Sequence, residues 1–256
     1  MGATQPLSGS TTLMGLSQQQ QSLAAPYWLS EDDQGATGFH QSVKALGGSF
    51  AIMGMNSEER QGFSASYQRD FGNSYTSTLE VGQVSGEDGL LDTDASGALS
   101  LGDNANTQFI GFRGEADLGD VTLFHSAYLG RSEIDAASGI ISSMDAVTTS
   151  NWMVGGLMEK GRHRFGLTVS QPLKVESADA SLSFINGYQR GVGYTTQTVD
   201  VDLAPSGRQI NSELAYSTST KHIDNIKASF LRMDQPGHDK EAKADHAVMF
   251  TIGTTF

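Results

Sequence analysis

Alternation of apolar and polar residues with a period of two recurs along most of this chain, and it restricts the fold more than any other feature. Tyr75, Ser77, Leu79 and Val81 share one side of an extended strand, and Ser74, Thr76, Thr78, Glu80 and Gly82 share the other. Phe63, Ala65, Tyr67 and Phe71 stand against Ser64, Ser66, Gln68 and Asp70. Ile110, Phe112, Ala116 and Leu118 oppose Arg113, Glu115 and Asp117. The same split gives Phe165, Leu167 and Val169 against Arg164, Gly166, Thr168 and Ser170. It gives Val199, Val201 and Leu203 against Thr198, Asp200 and Asp202, and Ile210, Leu214 and Tyr216 against Asn211, Glu213 and Ser217. Each run reads as a half-buried strand.

Weaker strands are predicted near 37–44, 48–55, 121–131, 149–158, 179–187 and 224–233, with a last one from Val248 to the terminal Phe256. The total is roughly 12 or 13 strands of about 9–11 residues. Turn signals separate them at 71–74, 118–120, 159–162 and 204–208. Two longer inserts are expected at 83–106, with a short strand around Leu99 to Leu101, and at 132–148. Residues 1–25 read as a linker or lumen-connecting segment, and 26–256 as one β domain.

Composition agrees with a β-rich chain. Gly is frequent at 30 of 256 residues, Pro is rare at 5, and mean hydropathy is -0.29. The 29 acidic against 16 basic residues give a net charge of -13, which argues against a nucleic-acid partner, because phosphate binding needs clustered Lys and Arg. Without Cys there is no disulfide framework and no Cys-based zinc site. The N-terminal run lacks a basic region followed by a continuous apolar one, so it does not read as a signal peptide. No stretch approaches the roughly 18 apolar residues of a membrane helix.

Period-two alternation fits two architectures. A soluble β-sandwich turns the apolar side toward its core. An up-and-down outer-membrane β-barrel turns it toward lipid and lines a lumen with the polar side. The small and charged polar residues, and a final strand that ends on an aromatic residue, favour the barrel, because closure removes both sheet edges.

Few motifs suggest chemistry. No nucleophile elbow, zinc-protease motif or phosphate loop is present, and His40, His125, His163, His222, His238 and His246 lack metal-ligand spacing. No motif points to a cofactor. Asp92, Asp94, Ser96 and Asp103 loosely follow a calcium loop, but the twelfth position is Asp where Glu is required, and a solvated acidic turn is the better reading. Glu80, Arg113, Glu115, Arg208 and Glu213 are candidate lumen charges, tolerated inside a barrel only when paired.

Several strings in the second half, QPLKVES at 171–177, VDVDLAPSGRQINSELAY at 199–216 and QPGHD at 235–239, carry a family likeness. With LGDNANTQFIGFRGEADLG and FHSAYLGRSE they resemble the C-terminal region of large secreted subtilisin-family serine proteases of Gram-negative bacteria, over about residues 97–256. The resemblance implies an autotransporter-like translocator or anchor in the bacterial outer membrane, with no catalysis of its own. The protease would lie upstream as passenger, and the opening Met-Gly would start an excised domain. Val248, Phe250, Ile252 and Phe256 would then form the strand read by the barrel-assembly machinery, with Phe256 at the bilayer interface. Thr254 departs from the larger apolar residue usual at its position. The alternatives are a soluble, chaperone-like or binding β module of the same protease, located in the periplasm or outside the cell, and a stand-alone small porin.

Overall fold

A computed structural model describes residues 37–56, 60–72, 74–86, 105–134, 140–220 and 225–253. The calcium-loop candidates Asp92, Asp94, Ser96 and Asp103, the segment 1–25, the short strand near Leu99 and the terminal Phe256 lie outside them. The described chain is all-β and antiparallel. Its strands are β1 (Thr37–Ala45), β2 (Gly48–Asn56), β3 (Arg60–Phe71), β4 (Tyr75–Gly86), β5 (Ala105–Asp117), β6 (Val121–Ile134) and β7 (Ile141–Met144). They continue with β8 (Val147–Lys160), β9 (His163–Ser177), β10 (Asp179–Gln189), β11 (Gly193–Asp202), β12 (Ile210–Thr218), β13 (Asn225–Asp234) and β14 (Asp245–Gly253).

Eleven strands form one sheet in the order β1-β2-β3-β4-β5-β6-β8-β9-β12-β13-β14, and among the described residues its edge strands β1 and β14 do not pair, so the closure expected from the sequence is not seen. Every neighbour in it is the next strand in sequence, apart from two excursions that build a second sheet in the order β11-β10-β7. The 132–148 insert is shorter than expected, because β6 runs to Ile134 and β8 starts at Val147, and it contains β7. Connections alternate between two ends of the sheet. One end carries the short turns, such as 46–47 and 161–162. The other carries 135–146, 178–209 and 235–244 as well as the short 57–59.

The two faces of the main sheet are inverted relative to an ordinary core. One row of register partners runs Phe71, Tyr75, Ala116, Leu123, Gly156, Leu167, Leu214, Phe230, Val248. Phe71, Leu123, Leu167, Leu214, Phe230 and Val248 in it are exposed. The adjacent row, on the other face, runs Asp70, Thr76, Glu115, Phe124, Gly155, Thr168, Glu213, Leu231, Ala247. There Thr168 and Glu213 are each 2% exposed. Ser64, Thr78, Glu80, Thr107, Ser126, Ser132, Thr149 and Ser229 are buried on that same inner side. A soluble protein rarely buries Glu unless it is paired, and rarely leaves a continuous apolar face in water.

Large rings settle on this sheet where the neighbouring strand has glycine. Tyr128 covers Gly111 and Phe109 covers Gly82 on the inner side, and a Cβ at either glycine would overlap the ring. Met55, Val84, Phe109 and Tyr128, with Met53 and Leu173 against them, make a small apolar layer inside.

The outward apolar band also slips along the sheet. Toward the long-connection end its last apolar residue is Val81 in β4, before Gln83; Trp152 in β8, before Ser150; Val169 in β9, before Gln171; and Phe230 in β13, before Arg232. Followed back along the register to β4, these lie level with Val81, Leu79, Ser77 and Tyr75 in turn. From β4 to β13 there are six strand steps, and from Val81 to Tyr75 there are six residues, a mean drop of about one residue per strand that all falls beyond β6, since Ile110 in β5 and Leu129 in β6 are still level with Val81.

Candidate functional site

Two polar clusters organise the molecule, one on each side of the sheet. The inner one lies within the strand ladder. Glu80 is buried at 4% exposure and Tyr128 at 2%. Register places Gly111 between them, which clears the space in which the Tyr128 hydroxyl reaches Glu80. That hydroxyl donates to Glu80 Oε2 at 3.3 Å, and Arg113 Nη1 lies 3.4 Å from the same oxygen and 3.5 Å from the hydroxyl. The distances are long for charge-assisted bonds, yet burial makes the pairing matter, because the Glu80 carboxylate without its cation would be stranded in a low-dielectric interior. Glu115 and Glu213 also face inward and are engaged in interactions of their own. Asn151, opposite Tyr128, buries its Oδ1 with no hydrogen-bond partner. An interior water would satisfy that acceptor.

The outer cluster joins three strings that are far apart in sequence. Between Ser150 and Trp152 the β8–β9 register shifts, so Trp152 opposes Gln171 while Ser150 opposes Lys174. This bulge turns Gln171, Lys174 and Glu176 to one side. Gln171 is fully buried: its amide nitrogen donates to Ser150 Oγ at 3.0 Å, and its oxygen accepts from Trp152 Nε1 at 3.1 Å and from Arg208 Nη1. Arg208 Nη2 and Lys174 Nζ each lie 2.9 Å from Glu176 Oε2.

His238 closes the arrangement from a single helical turn at Pro236–His238. The Gln209 backbone N–H donates to His238 Nδ1 at 2.9 Å. Nδ1 is therefore the acceptor, and Nε2 carries the proton that it gives to the Leu173 carbonyl at 3.1 Å. Gln235 Oε1 accepts from the Arg208 backbone N–H, and Gln209 Oε1 from that of Gly237, both at 2.7 Å. Burial, then the cationic Lys174 and Arg208, hold the His238 pKa below its ordinary value, against the Leu173 carbonyl and Glu176. The turn is strained as well, with Gln235 and His238 at left-handed φ of 52° and 58°.

The structure thus separates the five predicted lumen charges. Glu80 and Arg113 meet, Glu115 and Glu213 line the same inner face, and Arg208 lies in the outer clasp, bonded to Gln171 and Glu176. Arg208 falls outside the strand periodicity, in the connection before β12, so alternation carried no information on its side. Sequence reasoning missed Tyr128 and His238. A glycine facing a tyrosine is visible only once register is known, and His238 has no spacing motif. Val248, Phe250 and Ile252 share the outward face of β14, at 55–78% exposure.

Two further histidines face outward beside tyrosines: His125 Nε2 lies 3.2 Å from Tyr75 OH, and His163 Nδ1 lies 2.7 Å from Tyr216 OH. Among the described residues no group of three or more His, Asp or Glu could hold a metal ion. No protein-family model, no curated protein and no solved structure matches this chain.

Proposed function

We propose that this chain is an outer-membrane β-barrel, an up-and-down barrel of roughly 12 strands. It serves as the translocator or anchor of a secreted subtilisin-like protease and carries out no chemistry itself. The observation that carries the membrane reading is the inversion of the two faces: Glu80, Glu213, Thr168 and Ser126 are buried while Leu79, Leu167, Leu214 and Phe250 are exposed. A bilayer makes both favourable, since each exposed leucine is then solvated by hydrocarbon and each buried polar group finds a lumen partner.

The slip of the apolar band supports the same reading. A bilayer is flat, whereas the strands of a barrel lean, so the band must cross the register from one strand to the next, as it does on average from β4 to β13. One residue per strand, at about 3.3 Å along and 4.8 Å across, corresponds to a lean of about 35°, within the range of barrels. Aromatic residues gather outward near the short-turn end, at Phe50, Tyr67, Phe71, Tyr75, Phe165 and Tyr216, where an interfacial girdle belongs. In this reading the short turns face the periplasm, and β10 and β11 project from the outer surface. The passenger and the assembly machinery rest on the resemblance of residues 97–256 to subtilisin-family C-terminal regions.

The test is expression behind a signal sequence in a Gram-negative host, followed by detergent extraction of the outer membrane and electrophoresis with and without boiling. The expected result is a detergent-dependent species whose mobility changes on boiling and whose yield falls when Phe256 is deleted. Recovery as a soluble periplasmic protein would overturn the membrane reading in favour of a soluble accessory module.

A further inference from the structure

We infer that the β8–β9 turn forms a binding site for the phosphate headgroup of an anionic phospholipid in the periplasmic leaflet; this rests on the barrel reading. The chain has 16 Lys and Arg in 256 residues, yet three of them, Lys160, Arg162 and Arg164, fall within five positions here, with His163 among them. The register sorts them. Arg164 is on the inner side and paired to Glu159 at 2.7 Å. Lys160 and His163 are register partners on the outward side, and Arg162 sits in the exposed turn between them.

Outward, Met158, Lys160, His163, Phe165 and Tyr216 line an open groove. Its floor is apolar: Phe165 packs on Tyr216 with ring centroids 4.9 Å apart, and Met158 opposes Phe165 in register. His163 is held over Tyr216 by their hydrogen bond and by near-parallel rings at 6.0 Å. Hydrocarbon-compatible surface therefore lies directly above cationic groups, on the side and at the depth where a lipid has its ester region and its phosphate. Neither Lys160 nor Arg162 has a recorded ion-pair partner among the described residues. The neighbouring short turn at 118–120 is the opposite in sign, flanked by Asp117 and Asp120. Charge complementarity thus selects an anionic headgroup at one arc of the rim, in a protein whose net charge of -13 would otherwise repel it.

The experiment is native mass spectrometry of the full chain released from mixed micelles of detergent with phosphatidylglycerol or phosphatidylcholine. The chain is expected to retain phosphatidylglycerol preferentially. Lys160→Gln and Arg162→Gln should each lower that preference about fivefold. Arg131→Gln, on the outward side near the opposite end, should leave it unchanged. Equal retention of both lipids, or a preference that survives the double variant, overturns the inference. Displacement by inorganic phosphate at concentrations matching the lipid overturns it too, since the site would then read free phosphate. The same preparation is run with and without boiling: loss of the heat-dependent shift is failure of the barrel reading, whereas an intact shift with no lipid preference is failure of this inference alone.

Discussion

The inner cluster of Glu80, Arg113 and Tyr128 and the outer clasp of Gln171, Glu176, Arg208 and His238 are each built on one arginine and one glutamate, but they hold the fold in different ways. The inner pair is set by strand register and is the more enclosed, with the Glu80 side chain 5% and the Arg113 side chain 21% exposed. The outer pair is set by loops and stays open to water, with Arg208 47% and Glu176 31% exposed. A sealed pair is costly to break from one side, because the remaining ion has nowhere to go. An open pair is screened, and its worth comes from the uncharged bonds around it.

Breaking the sealed pair should have the largest effect. Arg113→Met strands Glu80 and is expected to lower stability by about 3–5 kcal/mol. Urea unfolding in detergent or lipid reads this, and adding Glu80→Gln in the same chain should recover most of the loss. A single variant as stable as the parent would mean that the inner pair is not sealed.

The clasp should respond to pH. His238 favours its neutral form in the folded state, since its pKa is depressed. Its contribution is thus complete above the ordinary histidine value of about 6.5 and is lost as pH falls from there through the folded pKa. Protonation would place a hydrogen on Nδ1, facing the Gln209 N–H. Hydrogen exchange of the 206–209 amides, corrected for intrinsic rate, should speed up by about tenfold per pH unit within that window. In His238→Gln this acceleration should vanish.

The smallest effect belongs to the exposed ion pair. Arg208→Gln should cost less than about 1 kcal/mol, and the cost should shrink further in high salt. A larger, salt-independent cost would show that the bond to Gln171, not the charge on Glu176, is what Arg208 contributes.

Strands were legible in the sequence wherever one face was uniformly apolar, as in β4, β9 and β12. They were illegible where the strand was short and polar: β7, with the sequence ISSM, exists because β10 lies beside it. The direction of the faces was not legible at all, because Leu79 opposite Glu80 reads the same in a sandwich and in a barrel. Only the three-dimensional arrangement shows that Glu80 is the enclosed one. Glu80, Arg113, Glu115 and Glu213 could be placed on the polar face of their strands by parity alone. The clasp could not, since its bulge breaks the count between Ser150 and Trp152. The strings that now form it stood out in the sequence only as a likeness, without a physical reason for their spacing.

Strand length varies around the sheet, from nine residues in β12 to 15 in its neighbour β9. Leaning at about 35°, nine residues rise about 24 Å, which matches the hydrocarbon band of an outer membrane, and 15 rise about 40 Å. In the barrel reading the wall would stand flush with the bilayer along one arc and rise well above it along the other. Such a lopsided parapet gives the protein a preferred side: anything tethered to it, or approaching in the plane of the membrane, meets a rampart from one direction and open water from the other.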